Sequence, residues 1–359
     1  MAVDTAPARL DPRLLEPVFE QLRERVREGI VPAAALAVGD ADGPIRSAVF
    51  SSSERLRLDE RSVFFLASVT KPIFATALMQ LVEEGRLELS APVASHLSEF
   101  AAGAKARVTL WHLLTHTSGV PDTPADVIRS RRPSVRRMTR LAMEAPLNFE
   151  PGTRWEYCTA SYYVMAEIMR RVTGLDYREF LRQRLFLPLN MESTFDPRSQ
   201  GSRIVPVKGV GADSRIKRYL LLRYVVAIAP PGGGLFGTVG DLLTFGAATL
   251  RPRPAERGYL PLAPETIELM GRDHTAGVIG VHEGQQRPVH HGLGWHKPTL
   301  MDHRPGSERV VAHGGATGTS LWIDPAANLV FVYLTNEWDP DRTPREEALR
   351  GVYEVLGRG

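Results

Sequence analysis

Two residues with the chemistry for acyl transfer, Ser68 and Lys71, lie three positions apart near the start of the chain. The apolar residues that follow recur at helical spacing, so both side chains are expected on one face of a helix. There the amine can reach the serine oxygen. Burial favours the neutral form of an amine, and a neutral amine can take the hydroxyl proton and so activate a weak nucleophile. The pair therefore predicts serine acyl transfer.

This spacing is not specific by itself, because Ser214 and Lys217 repeat it later in the chain. The context distinguishes the two pairs. Ser68 follows the apolar residues 64–67 and precedes a predicted helix over 73–84, so it lies among first-turn N–H groups that can face a developing oxyanion. Charged residues surround Ser214, which indicates a solvent-exposed loop or helix end. We therefore expect Ser68 to be the nucleophile.

Two further segments offer the remaining parts of such a site. Tyr157 follows a Pro-Gly turn and can act as a general acid or base if Lys71 stabilises its phenolate. His313, Gly314 and Gly315 precede an apolar strand, where glycines let a substrate approach the backbone and a neighbouring N–H can be the second oxyanion donor. Each segment also has a purely structural interpretation, as a packed tyrosine and as a loop that enters a strand.

Other kinds of active site fit the sequence less well. An α/β-hydrolase requires the pentapeptide Gly-x-Ser-x-Gly, which the chain lacks. A cysteine hydrolase would have to use the single cysteine, Cys158, which we expect to pack beside a tyrosine. The histidines of the C-terminal part lack the spacing of known metal motifs, so we interpret them as surface or loop residues and expect no metal or cofactor. They are His290, His291, His296 and His303.

Composition limits the partners of the protein. With 359 residues and 43% apolar content, the chain can bury a large core in one large domain or two interleaved ones. A net charge of +3 is small for this length and does not predict a nucleic-acid partner. The longest apolar run, over 219–229, is too short for a membrane helix. The lone cysteine and the lack of an evident secretory signal favour the cytoplasm.

A local cluster of arginines stands out against this weak net charge. A solvated surface is the favoured interpretation, and binding of an anionic substrate is the alternative. Its members are Arg129, Arg131, Arg132, Arg136, Arg137 and Arg140.

The hydrophobic patterns predict strands at both ends of the chain and helices in the middle. A first helix over 14–26 precedes two strands, 33–38 and 45–50, joined by an Asp-Gly turn. A second strand pair covers 319–323 and 329–334, and a closing helix covers 345–356. Helices are predicted over 73–84, 110–116 and 161–173, and Thr238 begins a capping box. This order indicates an antiparallel sheet built from both termini with a helical region between its strands.

Five ordered motifs give the chain a resemblance to a known superfamily. They are Ser68-Val69-Thr70-Lys71, Leu113-Leu114-Thr115-His116-Thr117-Ser118-Gly119, Tyr157-Cys158-Thr159, Gly233-Gly234-Leu235 and His313-Gly314-Gly315. In this order the chain resembles serine β-lactamases and penicillin-binding proteins, most closely class C β-lactamase-like hydrolases and family VIII carboxylesterases. The resemblance implies an α+β fold, with an antiparallel sheet flanked by N- and C-terminal helices plus an all-helical insertion. We expect residues 1–71 and 225–359 to form the sheet domain and 72–224 the inserted one.

The resemblance also implies a role for each matched position. Ser68 corresponds to the acylated serine, Lys71 to its base, and Tyr157 to the residue that passes a proton to the leaving group. The backbone N–H groups of Ser68 and Ala316 correspond to the oxyanion hole. Thr159, His313, Gly314 and Gly315 correspond to substrate-binding positions.

Two departures from the family pattern affect the expected substrate. Thr159 replaces an asparagine whose amide contacts the substrate, and His313 replaces a permanently charged lysine with a group that is largely neutral at pH 7. Both favour a small carboxylic ester as the acyl donor over a penicillin. An acyltransferase that passes the same acyl group to an alcohol or amine is the alternative. A β-lactamase, a D-amino-acid peptidase and a non-catalytic binding descendant remain open, as does the oligomeric state.

Overall fold

The two ends of the chain build one five-stranded antiparallel sheet. The computed structural model describes residues 9–123, 134–209, 223, 225–251, 262–282, 285–302 and 304–357. The strands in this part of the chain are β1 (Ala33–Asp40), β2 (Gly43–Ser51), β3 (Phe64–Phe65), β4 (Phe236–Gly237), β5 (Ile279–His282), β6 (Gln285–Pro288), β7 (Val311–Gly314), β8 (Ser320–Asp324) and β9 (Leu329–Thr335). The main sheet has the order β2-β1-β9-β8-β7, so β7 lies at one edge.

The α-helices lie between these strands and at both termini. Those that lie wholly within the described residues are α1 (Glu16–Arg27), α2 (Thr70–Glu83), α3 (Leu110–Leu114), α4 (Val135–Glu144), α5 (Ala160–Thr173), α6 (Tyr177–Leu181), α7 (Val239–Leu250), α8 (Pro264–Gly271), α9 (Pro298–Asp302) and α10 (Thr343–Val355). Within the described ranges, none of the helices combines the length and the apolar character needed to span a bilayer.

The central strands are buried on both faces, because helices cover the sheet on each side. Every residue of β1 is buried, and alternate residues contribute to different cores. Ala33, Ala35 and Ala37 belong to the core that includes α2, α5 and α7. Leu36 and Val38 belong to the core formed with α1 and α10. This period of two is the geometry of a strand between two helical layers.

Most elements predicted from the pattern form as expected. The Asp-Gly turn joins β1 and β2, with Asp40 opposite Gly43. The capping box at Thr238 is present, since its hydroxyl accepts the N–H of Asp241 and the Asp241 carboxylate accepts the N–H of Thr238. The sheet with terminal helices and the helices between its strands confirm the predicted fold class. The division of the chain at residues 72–224 stays a prediction.

The structure adds strands that the pattern did not predict. Of the segment His313-Gly314-Gly315, interpreted as a possible loop, the first two residues lie on the edge strand β7, which pairs with β8. The strands β5 and β6 pair with each other in an antiparallel arrangement. Several positions singled out in the sequence lie outside the described residues: Arg129, Arg131, Arg132, Ser214, Lys217 and His303.

The contact between α7 and the sheet gives a test of the packing. A methyl group added to Gly246 of α7 would lie 2.4 Å from Cγ1 of Val330 on β9. We expect Gly246→Ala to lower the free energy of unfolding by about 1–3 kcal/mol, because the helix and strand cannot separate without losing other contacts. Urea unfolding measures the change. The matched control is Gly240→Ala in the exposed first turn of the same helix, which should be neutral or stabilising.

Candidate active site

Ser68 lies on a tight turn at the start of α2. The turn is a 3-10 segment, Ala67–Val69, in which Ala67 has a φ of 47°, an uncommon conformation for a residue with a side chain. The Thr70 hydroxyl donates to the carbonyl of Ala67 at 2.6 Å and accepts the N–H of Leu235 at 3.1 Å. These contacts hold the strained turn in place, and Ser68 remains half-buried at its apex.

Lys71 occupies the next turn and extends to the serine. Its side chain is fully buried, and Nζ donates to Ser68 Oγ at 3.2 Å. Nζ also donates to the Gly232 carbonyl at 2.9 Å and to Thr159 Oγ1 at 3.3 Å. These three acceptors are two hydroxyls and a backbone carbonyl, so none of them is a carboxylate. The amine is therefore fixed beside the hydroxyl by neutral oxygens.

The segment that carries Tyr157 is held by two side chains from the region before α4. His116 Nδ1 accepts the N–H of Cys158 at 3.1 Å. The Asp122 carboxylate accepts the N–H groups of Thr159 at 3.2 Å and of Ala160 at 2.9 Å, at the beginning of α5. As a result the Lys71 ammonium lies 4.6 Å from the centre of the Tyr157 ring.

The turn between β7 and β8 packs against the turn that carries Ser68. Thr317 and Thr319 donate their hydroxyls to the carbonyls of Phe65 and Leu66, at 2.7 and 2.9 Å. A side chain at Gly315 would meet the Leu66 carbonyl at 2.4 Å, so only glycine fits this approach.

The backbone N–H of Ala316, the second expected oxyanion donor, is available in this arrangement. It makes no hydrogen bond within the described ranges. When Ser68 attacks a carbonyl carbon, the carbonyl oxygen becomes an oxyanion. To stabilise that oxyanion, a backbone N–H must not already donate to another acceptor.

Four imidazoles form a connected cluster behind Tyr157. The His296 ring centre lies 4.5 Å from that of His313 and 4.9 Å from that of His291. His116 lies 5.0 Å from His291 and 4.7 Å from the Tyr157 ring. The expectation that the C-terminal histidines are surface or loop residues is wrong for His291, whose side chain is fully buried between these rings.

Burial keeps three histidines of this cluster, His116, His291 and His313, neutral. It lowers the pKa of His291 to about 4 and the pKa of His116 and His313 well below their usual value, with the positive charge of Lys71 adding to the effect. His313 Nδ1 is 2.8 Å from the Gly314 carbonyl, and its Nε2 is buried without a partner in the described part of the chain. The imidazole that replaces the family's lysine therefore adds no charge to the site.

A cavity of about 410 Å³ opens over Ser68. Tyr157, His296 and residues 314–316 line it together with the serine. Its outer wall carries three guanidinium groups, from Arg304, Arg342 and Arg345, against one carboxylate, from Asp302, among the described lining residues. The Arg345 side chain is only 13% exposed and contacts Glu346 at 3.2 Å.

The sequence missed several of these groups for identifiable reasons. The Gly232 carbonyl is a backbone group, and Asp122 acts on amides 37 and 38 residues away. Arg345 lies on the closing helix α10 and has no motif around it. Only His116 carried a signal, because it belongs to one of the ordered motifs.

The alternative nucleophile, Cys158, is packed as expected. Burial raises the pKa of its thiol to about 12, so the thiolate is scarce at neutral pH. Its sulfur accepts the N–H of Ser161 at 3.3 Å. In the described ranges no set of three or more His, Cys, Asp or Glu side chains is arranged to hold a metal ion.

The buried histidines make stability depend on pH in a defined direction. An unfolded histidine has a pKa near 6.5, whereas that of folded His291 is about 4, so only the unfolded state gains the proton between these values. We expect the free energy of unfolding to fall as the pH drops below about 6.5, with His291 contributing about 2 kcal/mol of the loss at pH 5.

Urea unfolding at pH 7.5 and pH 5 tests this expectation. His291→Asn should reduce the difference in unfolding free energy between the two pH values, whatever its effect on absolute stability. His96→Gln, on a half-buried histidine outside the cluster, should leave the difference as it is. An unchanged pH difference in His291→Asn would contradict the assignment.

Comparisons with known proteins agree with the geometry. The family described as Beta-lactamase matches residues 18–354. Esterase EstB of Burkholderia gladioli is 31% identical to this chain, and the similarity covers 90% of the chain and 89% of EstB.

Two solved structures share the fold. EstCE1, described as a hydrolase with promiscuous acyltransferase activity, has a TM-score of 0.77 at 21% identity, over 95% of this chain and 99% of EstCE1. A penicillin-binding protein homologue from Caulobacter crescentus has a TM-score of 0.81 at 19% identity, over 96% of this chain and 98% of its own. These findings confirm the resemblance drawn from the five motifs. The chain is a serine hydrolase that belongs to the beta-lactamase family.

Proposed function

We propose that this protein is a carboxylesterase that works through an acyl intermediate on Ser68. The observation that carries the proposal is the 3.2 Å contact between Lys71 Nζ and Ser68 Oγ at the base of an open cavity. A general base at hydrogen-bond distance from a hydroxyl is the geometry that nucleophilic catalysis requires. The family match supports the same chemistry.

Acylation follows from the positions of these groups. Once deprotonated, Lys71 takes the proton of Ser68 as the oxygen attacks the carbonyl carbon of the ester. The carbonyl oxygen becomes an oxyanion, which accepts the backbone N–H groups of Ser68 and Ala316. Collapse of this intermediate breaks the bond to the leaving alcohol. Tyr157 donates a proton to the departing oxygen and regains one from the Lys71 ammonium, so no net charge is left behind.

Deacylation uses the same groups in the opposite direction. Water enters the cavity and, as it attacks the acyl carbon, gives up a proton to neutral Lys71, either directly or through Tyr157, which takes the water proton while it passes its own to Lys71. The resulting oxyanion again faces the two backbone donors. When it collapses, the bond to Ser68 Oγ breaks, the serine regains its proton, and the carboxylic acid leaves.

The acyl donor that fits best is a small carboxylic ester. Thr159 supplies only a hydroxyl, and Lys71 already donates to it, so the site lacks the amide with which relatives contact an amide substrate. His313 is buried and neutral, so it gives no fixed charge for the carboxylate of a penicillin. The esterase name of EstB supports the same choice.

Acyl transfer to an alcohol or amine is the second candidate. Its first half-reaction is identical, and the cavity is open enough to admit an acceptor in place of water. A protein of the same fold, EstCE1, is described as a hydrolase with acyltransferase activity. The ratio of hydrolysis to transfer in the presence of an added acceptor decides between the two activities.

For the location of the protein, the cytoplasm remains our prediction.

The identity of the nucleophile is tested by replacing, one at a time, the two serines that share the Ser-x-x-Lys spacing. Ser68→Ala should lose at least about 10³-fold in kcat/KM for p-nitrophenyl butyrate, because both the nucleophile and the acyl intermediate disappear. Ser214→Ala is the matched control and should keep full activity. Intact-mass measurement during turnover should show one acyl group on the native enzyme and none on Ser68→Ala. Full activity of Ser68→Ala would refute the assignment.

The arginines on the outer wall extend the proposal to esters that carry a negative charge. Arg345 Nη1 lies 3.7 Å from the point where a Cβ on Gly314 would be, which is beside the edge strand of the site. Burial lowers the pKa of Arg345, since the guanidinium is poorly hydrated. A carboxylate on the substrate would restore the missing solvation and supply a planar partner.

Rates for two esters with the same leaving group test this specificity. We expect Arg345→Gln to lower the ratio of kcat/KM for p-nitrophenyl hemiglutarate to that for p-nitrophenyl butyrate by about tenfold. Salt should reduce the same ratio in the native enzyme, because it screens charge attraction. A ratio that responds to neither change would show that the wall does not select anionic substrates. Arg107→Gln, on an exposed arginine paired with Glu150, is the control.

A further inference from the structure

A second cavity, of about 610 Å³, lies behind the candidate active site. It is bounded by the end of α7, by α8, and by Val311 on the edge strand β7. Much of its wall is apolar, with Met270, Trp295 and Leu300 among the lining side chains. Lys297 also lines this cavity, and neither the proposed acylation nor deacylation uses it.

The position of Lys297 follows from its neighbour in the chain. The backbone of His296 pairs with Ala312 of β7 in both directions, at 2.9 and 3.1 Å, so the segment is extended. Successive side chains of an extended segment point to opposite faces. His296 lines the acyl cavity, and Lys297 therefore lines the cavity on the other side.

Lys297 is a buried cation without a counter-ion. Its side chain is 3% exposed, and its ammonium has no hydrogen bond or ion pair within the described ranges. Burial lowers its pKa to about 8, although the charge of Asp273 opposes that shift. A buried ammonium without a partner is costly, so the fold keeps this group at the expense of stability.

The carboxylates nearest to Lys297 form hydrogen bonds with other residues and none with its ammonium. The Asp273 carboxylate contacts His290 Nδ1 at 2.6 Å and accepts the N–H of Thr275 at 3.1 Å. Asp324 accepts the hydroxyls of Ser307 and Tyr353, at 2.6 and 2.9 Å.

The other charged residues of the cavity wall do not neutralise Lys297 either. Glu268 pairs with Arg272 at 3.1 Å. Glu308 and Arg309 are exposed and of opposite sign. In the described part of the chain, no carboxylate therefore forms an ion pair with the Lys297 ammonium.

We propose that this cavity is a second ligand site, which binds a small organic monocarboxylate through an ion pair with Lys297. The apolar part of the acid packs against Met270, Trp295 and Val311. A single buried cation among apolar walls suits a carboxylate with a hydrocarbon body. It does not suit a phosphate, which needs several donors. The site is independent of the proposed esterase chemistry, so either can fail without the other.

Binding of benzoate and of its neutral analogue benzamide tests this site. In calorimetry at pH 7 with the Ser68→Ala protein, benzoate should bind saturably and benzamide at least about tenfold more weakly, because only the acid pairs with the ammonium. Lys297→Met should weaken benzoate binding by at least about tenfold. Lys208→Met, on an exposed lysine, should leave it unchanged.

A second readout follows the lysine itself in the native protein. With ¹³C at the lysine ε-carbons, the NMR signal lost in Lys297→Met should titrate near pH 8 without ligand and at a higher pH with benzoate bound. The titration is followed in the native protein, and the variant serves only to assign the signal. Equal affinity for benzoate and benzamide, unaltered binding by Lys297→Met, or no binding up to about 10 mM would each overturn the proposal.

Discussion

The contact between Lys71 and Ser68 is the interaction on which the rest of the site depends. An amine beside a carboxylate would be held in its charged form, and it would then be a poor base. Here Nζ meets the hydroxyls of Ser68 and Thr159 and the carbonyl of Gly232, which are neutral acceptors. Complete burial of the side chain keeps water from replacing them. The amine can therefore exchange a proton with the serine while its position stays fixed.

The surrounding scaffold maintains this contact at the expense of local strain. Ala67 adopts a left-handed conformation so that Ser68 projects into the cavity. Hydroxyls of Thr317 and Thr319 bind the two carbonyls that precede this turn, and the missing side chain of Gly315 lets the strands approach. The turn after β7 is thus held against the turn that carries Ser68, and Ala316 lines the same cavity as the serine.

Charge is distributed unevenly around this centre. Behind Tyr157, His116, His291 and His313 pack as buried rings beside the half-buried His296, and the positive charge of Lys71 helps keep these three buried histidines neutral. In front, guanidinium groups line the outer wall of the acyl cavity. On the far side of the same extended segment, Lys297 faces a separate cavity. The buried imidazoles therefore add no charge beside Lys71 and Ser68. The arginines of the acyl cavity and Lys297 of the second cavity are the charged groups that we propose to bind ligands.

The sequence determined the features that depend on neighbouring residues. Spacing of three on an apolar helix identified Ser68 and Lys71, alternation identified the strand pairs, and an Asp-Gly turn identified the first hairpin. Five motifs in order were enough to predict the family and the fold class. The catalytic and binding roles of Ser68, Lys71, Tyr157, Thr159 and Ala316 remain predictions. Tertiary structure alone decided which distant groups meet. Asp122 and the Gly232 carbonyl reach the site across 37 and 161 residues, and Arg345 arrives on the last helix. The four imidazoles come together from three parts of the chain: His116, the segment that carries His291 and His296, and His313 on β7. No local pattern records such contacts, because they arise only when the sheet brings both ends of the chain together around the inserted helices.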